Sequence, residues 1–541
     1  MARPTRSYDI LVVGGGIAGL TSAAYASQYG RKVLLLEQGH SLGGLVNSFR
    51  YEGFTFDGGI RAIENSGIVF PMLKELGITI DFVQSPVLLG VGDDFIPLDG
   101  HNDLVKYGDL LKRHFPKDVQ AIDKILKDMD RAIRYMDVIY GIDNPIFLDY
   151  KTNKTYFQKT VLPWLFRYQK SIKKAMKMKL PINQHLARFT KNQALIDVMT
   201  QHFFKDTPAF FALSYFHLYK DYHYPLGGTG VIPQKLSRYI SEHGGEIRLE
   251  SEVVKINMTD REVTTRNGET FGYRELVWAA DLKRLYNALG TVVLKDKAQQ
   301  KKFLKLKPAI MAHRGGDSIL TVYMTSPHGA ESFKDITGAH CFFTPQEVGL
   351  RTMDLNSILD EKGMFKHNDK ETVFAWIKQF FKLTTFEISL PAMRDASLAP
   401  EGQMGLIVST LFDYRLTRAL QEVGWYEEFK LFAEKSIAEI MQQTLFKDIE
   451  VTSKFSSTPM TIARVVGSSD GAITGWAFGP MIPVEHRFPK ILHSVETIFP
   501  HLFQAGQWSF SPSGLPVSVL TGKLAAQGAH KNLKKEDKKA K

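Results

Sequence analysis

A glycine-rich turn constrains this chain more than any other feature of its sequence. Residues 8–13 read YDILVV, a short apolar run typical of a buried parallel strand. The turn 14–19 reads GGGIAG, and residues 20–29 are rich in Ala and Ser, as in a helix that ends at Gly30. A second apolar run, KVLLLE at 32–37, completes the pattern of a βαβ unit of about 30 residues.

The spacing of these glycines predicts a dinucleotide site. Gly14 permits the tight turn, Gly16 lets the backbone approach a pyrophosphate, and Gly19 allows close packing of helix and strand. The helix N-terminus then offers free N–H groups to the phosphates. Glu37 follows 18 residues after Gly19, where a carboxylate binds ribose hydroxyls and disfavours a 2′-phosphate.

A second glycine turn follows the ribose acid directly. Residues 41–48 read SLGGLVNS, and residues 53–59 read GFTFDGG. A backbone of this kind suits a long, extended cofactor, and the segment favours FAD over NAD. The alternative is a plain surface loop followed by a β-hairpin.

The counts of cysteine and histidine exclude several other kinds of site. The chain has one cysteine, Cys341, so it builds no disulfide, thiolate metal site or CxxC redox pair, and redox chemistry needs a cofactor. His202, His217 and His223 lie near one another in sequence, but no metal-binding spacing is present and we predict no metal site. We expect no signal peptide and no membrane-spanning helix.

Changes in composition divide the chain into a discontinuous pair of domains. A helical, Lys- and aromatic-rich texture begins near residue 87, and the glycine-rich texture returns at residue 228. The predicted FAD-binding domain comprises residues 1–86, 228–290 and 490–530; the predicted α+β substrate domain comprises residues 87–227 and 291–489; residues 531–541 form a basic tail predicted to be disordered. The predicted class is α/β, with a Rossmann-type domain.

A basic segment gives the strongest indication of a partner. Residues 151–195 contain no Asp or Glu but 11 Lys and Arg, interleaved with aromatic and apolar residues. Basic residues attract anionic lipid head groups while apolar side chains enter the interface. We expect a helical region in peripheral contact with the cytoplasmic side of a membrane. The alternative is a solvated basic helix, and no nucleic-acid module is readable.

Two further groups concern the substrate. An aromatic cluster between Phe203 and Tyr224 lines either a cavity for a long polyene or the protein core. Glu387, Arg394 and Asp395 are weak catalytic candidates that could polarise a substrate or a flavin, although each residue type is more often structural.

The sequence resembles the phytoene desaturase-like flavoproteins. This group includes carotene desaturases, carotene isomerases and retinol saturases and is related to the amine oxidases. The likeness spans residues 8 to about 527. The blocks that carry it are residues 8–59 and 224–256, DASLAPEG at 395–402, LFQAG at 502–506, SGLP at 513–516 and TGKLAA at 521–526.

The resemblance implies an amine oxidase-like fold and a non-covalently bound FAD. The cofactor-binding residues that it implies are Gly14, Gly16, Ile17, Ala18, Gly19, Glu37, Gln38, Gly43, Gly44, Leu45, Val253, Gly506, Leu515 and Pro516. Pro516 suits the first turn of a helix whose positive end would face the flavin. Amine oxidase-type members usually have Arg where Leu45 stands, which weighs mildly against that subgroup.

Three functions are compatible with these observations. The first is an oxidoreductase that desaturates, saturates or isomerises carbon–carbon bonds of an isoprenoid, carotenoid or retinoid-like lipid. The second is an amine oxidase-like enzyme acting on C–N bonds. The third is a non-catalytic, flavin-carrying lipid-binding protein. The sequence leaves open the substrate, the direction of reaction, the electron donor or acceptor and the oligomeric state.

Overall fold

The computed structural model describes residues 6–100, 102–149, 151–289, 297–367, 369–479 and 481–540. The predicted domain boundary at 290/291 lies outside these residues. The strands are β1 (Ser7–Val13), β2 (Val33–Leu36), β3 (Ser48–Tyr51), β4 (Phe54–Asp57), β5 (Ile63–Glu64), β6 (Phe82–Gln84), β7 (Val87–Val91), β8 (Asp94–Leu98), β9 (Tyr222–Pro225), β10 (Glu246–Arg248), β11 (Val253–Asn257), β12 (Glu262–Thr265), β13 (Thr270–Trp278), β14 (Ser318–Ser326), β15 (His340–Thr344), β16 (Phe386–Ser389), β17 (Met404–Phe412), β18 (Ser453–Ser457) and β19 (Leu502–Gln504).

Helices surround these strands. They are α1 (Ile17–Gln28), α2 (Val69–Glu75), α3 (Asp103–His114), α4 (Val119–Ile139), α5 (Lys154–Tyr156), α6 (Leu162–Ala175), α7 (Ile182–Leu186), α8 (Gln193–Thr200), α9 (Ala209–Tyr219), α10 (Val231–Glu242), α11 (Leu282–Ala288), α12 (Lys297–Ala312), α13 (Lys370–Leu383), α14 (Tyr414–Glu422), α15 (Tyr426–Gln443), α16 (Pro459–Val465) and α17 (Leu515–Ala540).

The first sheet is built on the predicted βαβ unit. Its parallel strands lie in the order β10-β2-β1-β13-β19, and β12 and β11 extend it as an antiparallel pair beside β13. Helix α1 crosses over between β1 and β2 and is buried against α10 and α17. The close approach of α17 depends on a glycine of that helix, because a Cβ on Gly522 would lie 2.4 Å from the carbonyl oxygen of Ala18 in α1. The predicted Rossmann-type unit is thereby confirmed.

The strands of the first sheet come from residues 7–36, 246–278 and 502–504, each inside one of the three predicted stretches. This sheet therefore joins parts of the chain that are distant in sequence. The exact domain boundaries stay a prediction.

The second sheet is mixed and belongs to the other half of the molecule. Its order is β18-β14-β17-β16-β15-β7-β8, with β15 and β7 parallel and its other neighbours antiparallel. Helices α13 and α15 cover one face through a large apolar core. The other face meets the β3-β4 hairpin, where Phe54 and Phe56 pack against Tyr323 and Ile407.

Helices α3, α4 and α6 to α9 form a layer that packs on β7 and β8. The region that begins near residue 87 was predicted to be helical. It consists mainly of helices, with the strands β7 and β8 at its start. Hydropathy gives no candidate for a bilayer-crossing helix among the described residues.

The predicted disorder of the basic tail is wrong for residues 531–540, because α17 continues to Ala540. Leu533 is fully buried against the first sheet's core. Asp537 accepts hydrogen bonds from Arg31 at 2.8 Å and from Arg274 at 2.6 Å. The prediction considered only the lysines of this segment. Two acids among them, Glu536 and Asp537, anchor the helix to arginines elsewhere in the chain.

Candidate functional site

A cavity of about 1060 Å³ opens between the first and the second sheet. One part, which we call the nucleotide half, is lined by the glycine turns and Glu37. The other part, the aromatic chamber, is lined by side chains of α9, β9 and β15. Both parts belong to one continuous space.

The structure brings most of the predicted cofactor residues to this cavity. Those that line it are Gly14, Gly16, Ile17, Ala18, Glu37, Gln38, Gly43, Gly44, Leu45, Val253, Gly506 and Leu515. Gly19 and Pro516 lie behind the wall. Contact with a cofactor remains a prediction for each of them.

The two glycine turns lie directly against each other. Gly43 donates its N–H to the carbonyl oxygen of Gly15 at 2.8 Å. A Cβ on Gly14 would lie 2.9 Å from the carbonyl oxygen of Ala279, whereas a Cβ on Gly16 would meet no atom within 4 Å. Gly14 is thus required by packing, and Gly16 keeps space open at the N-terminus of α1. This space fits a pyrophosphate.

Glu37 is held in a fixed orientation at the end of β2. Its two carboxylate oxygens accept hydrogen bonds from the backbone N–H groups of Gly15, at 2.6 Å, and Gly39, at 2.7 Å. Each oxygen keeps a further lone pair for a ligand donor. A pair of ribose hydroxyls is such a ligand.

Residues that the sequence did not single out close the far end of the nucleotide half. Arg284 donates to Gln38 Oε1 at 2.5 Å and lies 3.4 Å from Glu252 Oε1. Residues 464–468, which include the end of α16, line the same end beside Val253. No local motif marks these contacts, because they join segments roughly 200 residues apart.

The opposite end of the nucleotide half is formed late in the chain. Gly506 has a φ of 90° and donates its N–H to Thr521 Oγ1 at 2.9 Å. Leu515 and Ser518, in the first turn of α17, line the cavity. The positive end of this long helix therefore faces the site, where it favours negative charge.

Arg61 supplies a buried cation to the wall of the same cavity. Its guanidinium is 3% exposed, donates to the carbonyl oxygen of Asp57 at 3.0 Å and to Ser409 Oγ at 3.1 Å, and also bonds the Gly59 carbonyl. Its Nε is buried and has no partner among the described residues. Sequence reasoning missed Arg61, although a lone cation directly after a Gly-Gly pair was a possible signal.

Asp57 ties several segments together beneath the cavity. Its Oδ1 accepts from Ser48 Oγ at 2.9 Å and from both the N–H and Oγ1 of Thr229 at 2.9 Å. Its Oδ2 accepts from the Tyr224 hydroxyl at 2.7 Å. The guanidinium of Arg394 stacks on the Tyr224 ring at 3.8 Å. This network fixes the wall that carries Arg61.

Of the three catalytic candidates, only Glu387 lines the cavity. His340 Nε2 lies 3.0 Å from Glu387 Oε1. Arg394 lies behind the wall in the Asp57 network, and Asp395 accepts from the N–H of Gly227 at 2.7 Å. The structure therefore gives Arg394 and Asp395 supporting positions.

The aromatic chamber is walled largely by rings. They belong to Phe203, Phe204, Phe211, Tyr215, Tyr219, Tyr222 and Phe342. The cluster that the sequence left open between a cavity lining and a core contributes to both, since Phe216 and Tyr224 are buried in the protein interior. A chamber of this kind excludes water and accepts a long apolar molecule.

Four titratable side chains interrupt the apolar lining. Burial raises the pKa of Glu64 and lowers the pKa of His202 to about 4. Burial also lowers the pKa of His340, although Glu387 opposes this effect. Both histidines are therefore neutral at pH 7. No motif in the sequence singles out Glu64.

Of the histidines that lie near one another in sequence, His202 lines the cavity and His223 does not, while the side chain of His217 is not among the described ones. A group of potential metal ligands among the described residues is Glu275, His501 and Glu536. The Arg261 guanidinium lies 2.8 Å from His501 Nε2. A positively charged side chain of the protein therefore already lies against this group of potential ligands.

Comparison with known proteins is consistent with this geometry. Residues 12–76 match the family described as an NAD(P)-binding Rossmann-like domain. The inactive all-trans-retinol 13,14-reductase of Danio rerio is 26% identical over 271 residues, 47% of this chain but only 43% of that protein. The chloroplastic prolycopene isomerase of Daucus carota is 22% identical over 551 residues, 99% of this chain and 82% of that protein.

A solved structure of a putrescine oxidase variant superposes with a TM-score of 0.59 at 12% identity, over 98% of this chain and 100% of that one. This likeness concerns the fold alone. It is an α/β fold of the amine oxidase type, with a Rossmann-like domain and a second, mixed sheet.

Proposed function

Because this chain is a distant member of the phytoene desaturase, carotene isomerase and retinol saturase-like FAD oxidoreductases, we propose that it is an FAD-dependent enzyme of apolar lipids. Its reaction is desaturation, saturation or isomerisation at carbon–carbon bonds. Its substrate is a long isoprenoid of the carotenoid or retinoid type.

One observation carries this proposal: the nucleotide half and the aromatic chamber are a single cavity. Glu37 and the start of α17 would hold a cofactor in the nucleotide half, which is continuous with the chamber. A molecule in the chamber would then reach the cofactor without passing through water. Exclusion of water favours hydride transfer over side reactions.

The residues present fit a non-covalently bound FAD. Glu37 would hold the ribose, Gly16 and Gly43 the pyrophosphate, and Gly506 with Leu515 the flavin end. When bound, the flavin supplies hydride transfer to or from carbon. The N-terminus of α17 and the cation of Arg61 stabilise negative charge in the cavity.

We further propose that an exposed surface, the α6 patch, rests on a membrane. The patch comprises the exposed apolar residues Leu162, Leu165, Phe166, Met176 and Leu180 and the exposed lysines Lys170, Lys173, Lys174 and Lys177. Phe166 is 77% exposed, an unusual state for a large apolar ring. Lysines around such a ring suit anionic head groups.

The α6 patch is also connected to the chamber by backbone hydrogen bonds. The carbonyl oxygens of Met178 and Leu180 accept hydrogen bonds from the N–H groups of Phe210 and Ala209, at 2.9 and 2.8 Å. Those residues begin α9, whose ring of Phe211 lines the chamber. This proximity supports direct entry of a lipid from the membrane.

The proposal is tested by purifying the protein, extracting its lipids and titrating its flavin without oxygen. We expect a yellow protein, an isoprenoid-derived lipid by mass spectrometry, and a change in the flavin spectrum when that lipid is added back. A colourless protein that gains neither colour nor thermal stability from FAD would overturn the proposal. Bleaching by amines but not by polyenes would instead indicate C–N oxidation.

If every organic donor failed and only dithionite reduced a bound flavin, the chain would be a flavin-carrying lipid-binding protein. Each result therefore separates one of the three functional classes from the others.

A further inference from the structure

The aromatic chamber contains polar groups that a pure hydrocarbon would leave without partners. Glu64, His202 and His340 all line it, and none has a place in the cofactor site described above. Building on the proposed function, we propose that the substrate carries an uncharged oxygen, a hydroxyl or a carbonyl, and that Glu64 binds it.

The backbone directs Glu64 into the chamber. It is the second residue of β5 and pairs with Tyr222 of β9. The preceding residue, Ile63, is fully buried in the core of the first sheet. Because successive side chains of a strand point to opposite faces, Glu64 faces the cavity. Its carboxyl group accepts a hydrogen bond from its own backbone N–H, and among the described residues no side chain is a further partner.

Other donors and acceptors surround the same space. The Tyr222 hydroxyl donates to the Tyr215 hydroxyl at 3.1 Å, which leaves the Tyr215 O–H free to donate. His340 Nδ1 and His202 Nε2 are buried and have no partner among the described residues. Buried polar atoms are normally paired, so several unpaired ones around one cavity indicate a polar atom of a ligand.

The charges near the chamber favour an uncharged ligand group. The cations of Arg61 and Arg394 both have the Glu387 carboxylate as a charged neighbour, and Arg394 also has the Asp57 carboxylate. Glu387 in turn lies 3.0 Å from Nε2 of the neutral His340. Burial raises the pKa of Glu64, which favours its protonated form. A protonated carboxyl donates a hydrogen bond to a hydroxyl or carbonyl oxygen. A charged head group would enter without a counter-ion.

The test compares two ligands that differ by one oxygen atom. All-trans-retinol and its hydrocarbon analogue, with methyl in place of hydroxymethyl, are titrated into the FAD-loaded full chain, and binding is followed by fluorescence quenching. We expect wild type to bind the alcohol about tenfold more tightly, the effect of one buried hydrogen bond. Glu64→Leu should reduce this ratio to about one, and Glu64→Gln should retain part of it.

A second variant separates polar recognition from general packing. Phe211→Leu removes apolar contact from the same chamber and should weaken both ligands equally, so that their ratio is unchanged. The flavin absorbance and the melting temperature of each variant establish that its fold is intact.

Equal affinity of wild type for the two ligands, or a preference that survives in Glu64→Leu, would overturn this inference while leaving an apolar substrate intact. If neither ligand bound to the FAD-loaded protein, this inference would also be overturned, whereas the proposed function is decided separately by the flavin and co-purified lipid.

Discussion

The two parts of the cavity bind in different ways. The nucleotide half presents backbone: Gly15 and Gly39 orient Glu37 through N–H groups, and Gly16 keeps its space by having no side chain. The aromatic chamber presents side chains from α9, β9 and β15. Backbone recognition requires fixed spacing of glycines, whereas a chamber of rings is open to many arrangements of aromatic residues.

This contrast means that the two parts tolerate change differently. At Gly14 and Gly43 a single added methyl group disrupts the glycine turns, because it would lie 2.9 Å and 2.2 Å from a backbone carbonyl oxygen. In the chamber, one large apolar side chain replaces another with a modest effect. The following predictions test this difference, from the largest expected effect to the smallest.

Gly16→Val should abolish FAD binding without unfolding the protein. The φ of Gly16 is −69°, and an added Cβ meets no atom within 4 Å, so the variant folds. Its side chain then occupies the space expected for the pyrophosphate. We expect at least a hundredfold loss of FAD affinity, an estimate for a blocked phosphate site. It is measured by the ratio of flavin to protein absorbance.

The control is Gly329→Val, the same substitution in a loop outside the cavity, which should leave the flavin content unchanged. A yellow Gly16→Val protein with normal FAD affinity would contradict the role of the glycine turn.

Asp57→Ala should destabilise both parts of the cavity together. The substitution leaves the Tyr224 hydroxyl and the Thr229 N–H unpaired and removes the acceptor of the Ser48 hydroxyl. Loss of one partner from such a buried network costs about 3 kcal/mol of unfolding free energy. Urea denaturation measures it. A change below about 0.5 kcal/mol would mean that the network does not join the two parts.

Reversing the charge of Lys170, Lys173, Lys174 and Lys177 should reduce binding to anionic vesicles at least tenfold. Each lysine near a charged surface contributes about 1 kcal/mol, and the reversal turns attraction into repulsion. Vesicle flotation measures binding, with neutral vesicles for comparison. The same quadruple change should leave FAD content as in wild type, and undiminished flotation would reject the α6 patch.

His202→Phe should reduce the loss of unfolding free energy that wild type shows at acid pH. The pKa of His202 is lowered to about 4 in the fold from an ordinary 6.5, so the unfolded chain binds a proton more readily. Wild type therefore loses stability as pH falls from 6.5 towards 4. Above pH 6.5 the neutral His202 causes no loss of stability. At pH 5 this loss amounts to about 2 kcal/mol.

Urea denaturation of wild type and His202→Phe at pH 5 and pH 7.5 measures the difference. Phe211→Leu, which changes the same chamber without removing a titratable group, should keep the pH dependence of wild type. Parallel curves for wild type and His202→Phe would show that His202 is not held neutral in the chamber.

The sequence predicted the nucleotide half far better than the chamber. Gly14, Gly16 and Glu37 were found because a dinucleotide loop requires them at fixed intervals. Arg61 and Glu64 were missed because their surroundings come from β9, β15 and β17, which local patterns do not connect. The tail was misread because its lysine count concealed the two acids that anchor it.

The flavin end of the cavity has a consequence for when the protein becomes functional. Roughly 490 residues separate Gly16 from Gly506, and both line the same cavity. At ribosomal rates of about 5 to 20 residues per second, the interval between them is roughly 25 to 100 seconds. During that time the nascent chain exposes an incomplete pocket. If the chain binds FAD as proposed, cofactor loading requires that synthesis has passed the α17 segment, and a product truncated before it would lack the flavin colour.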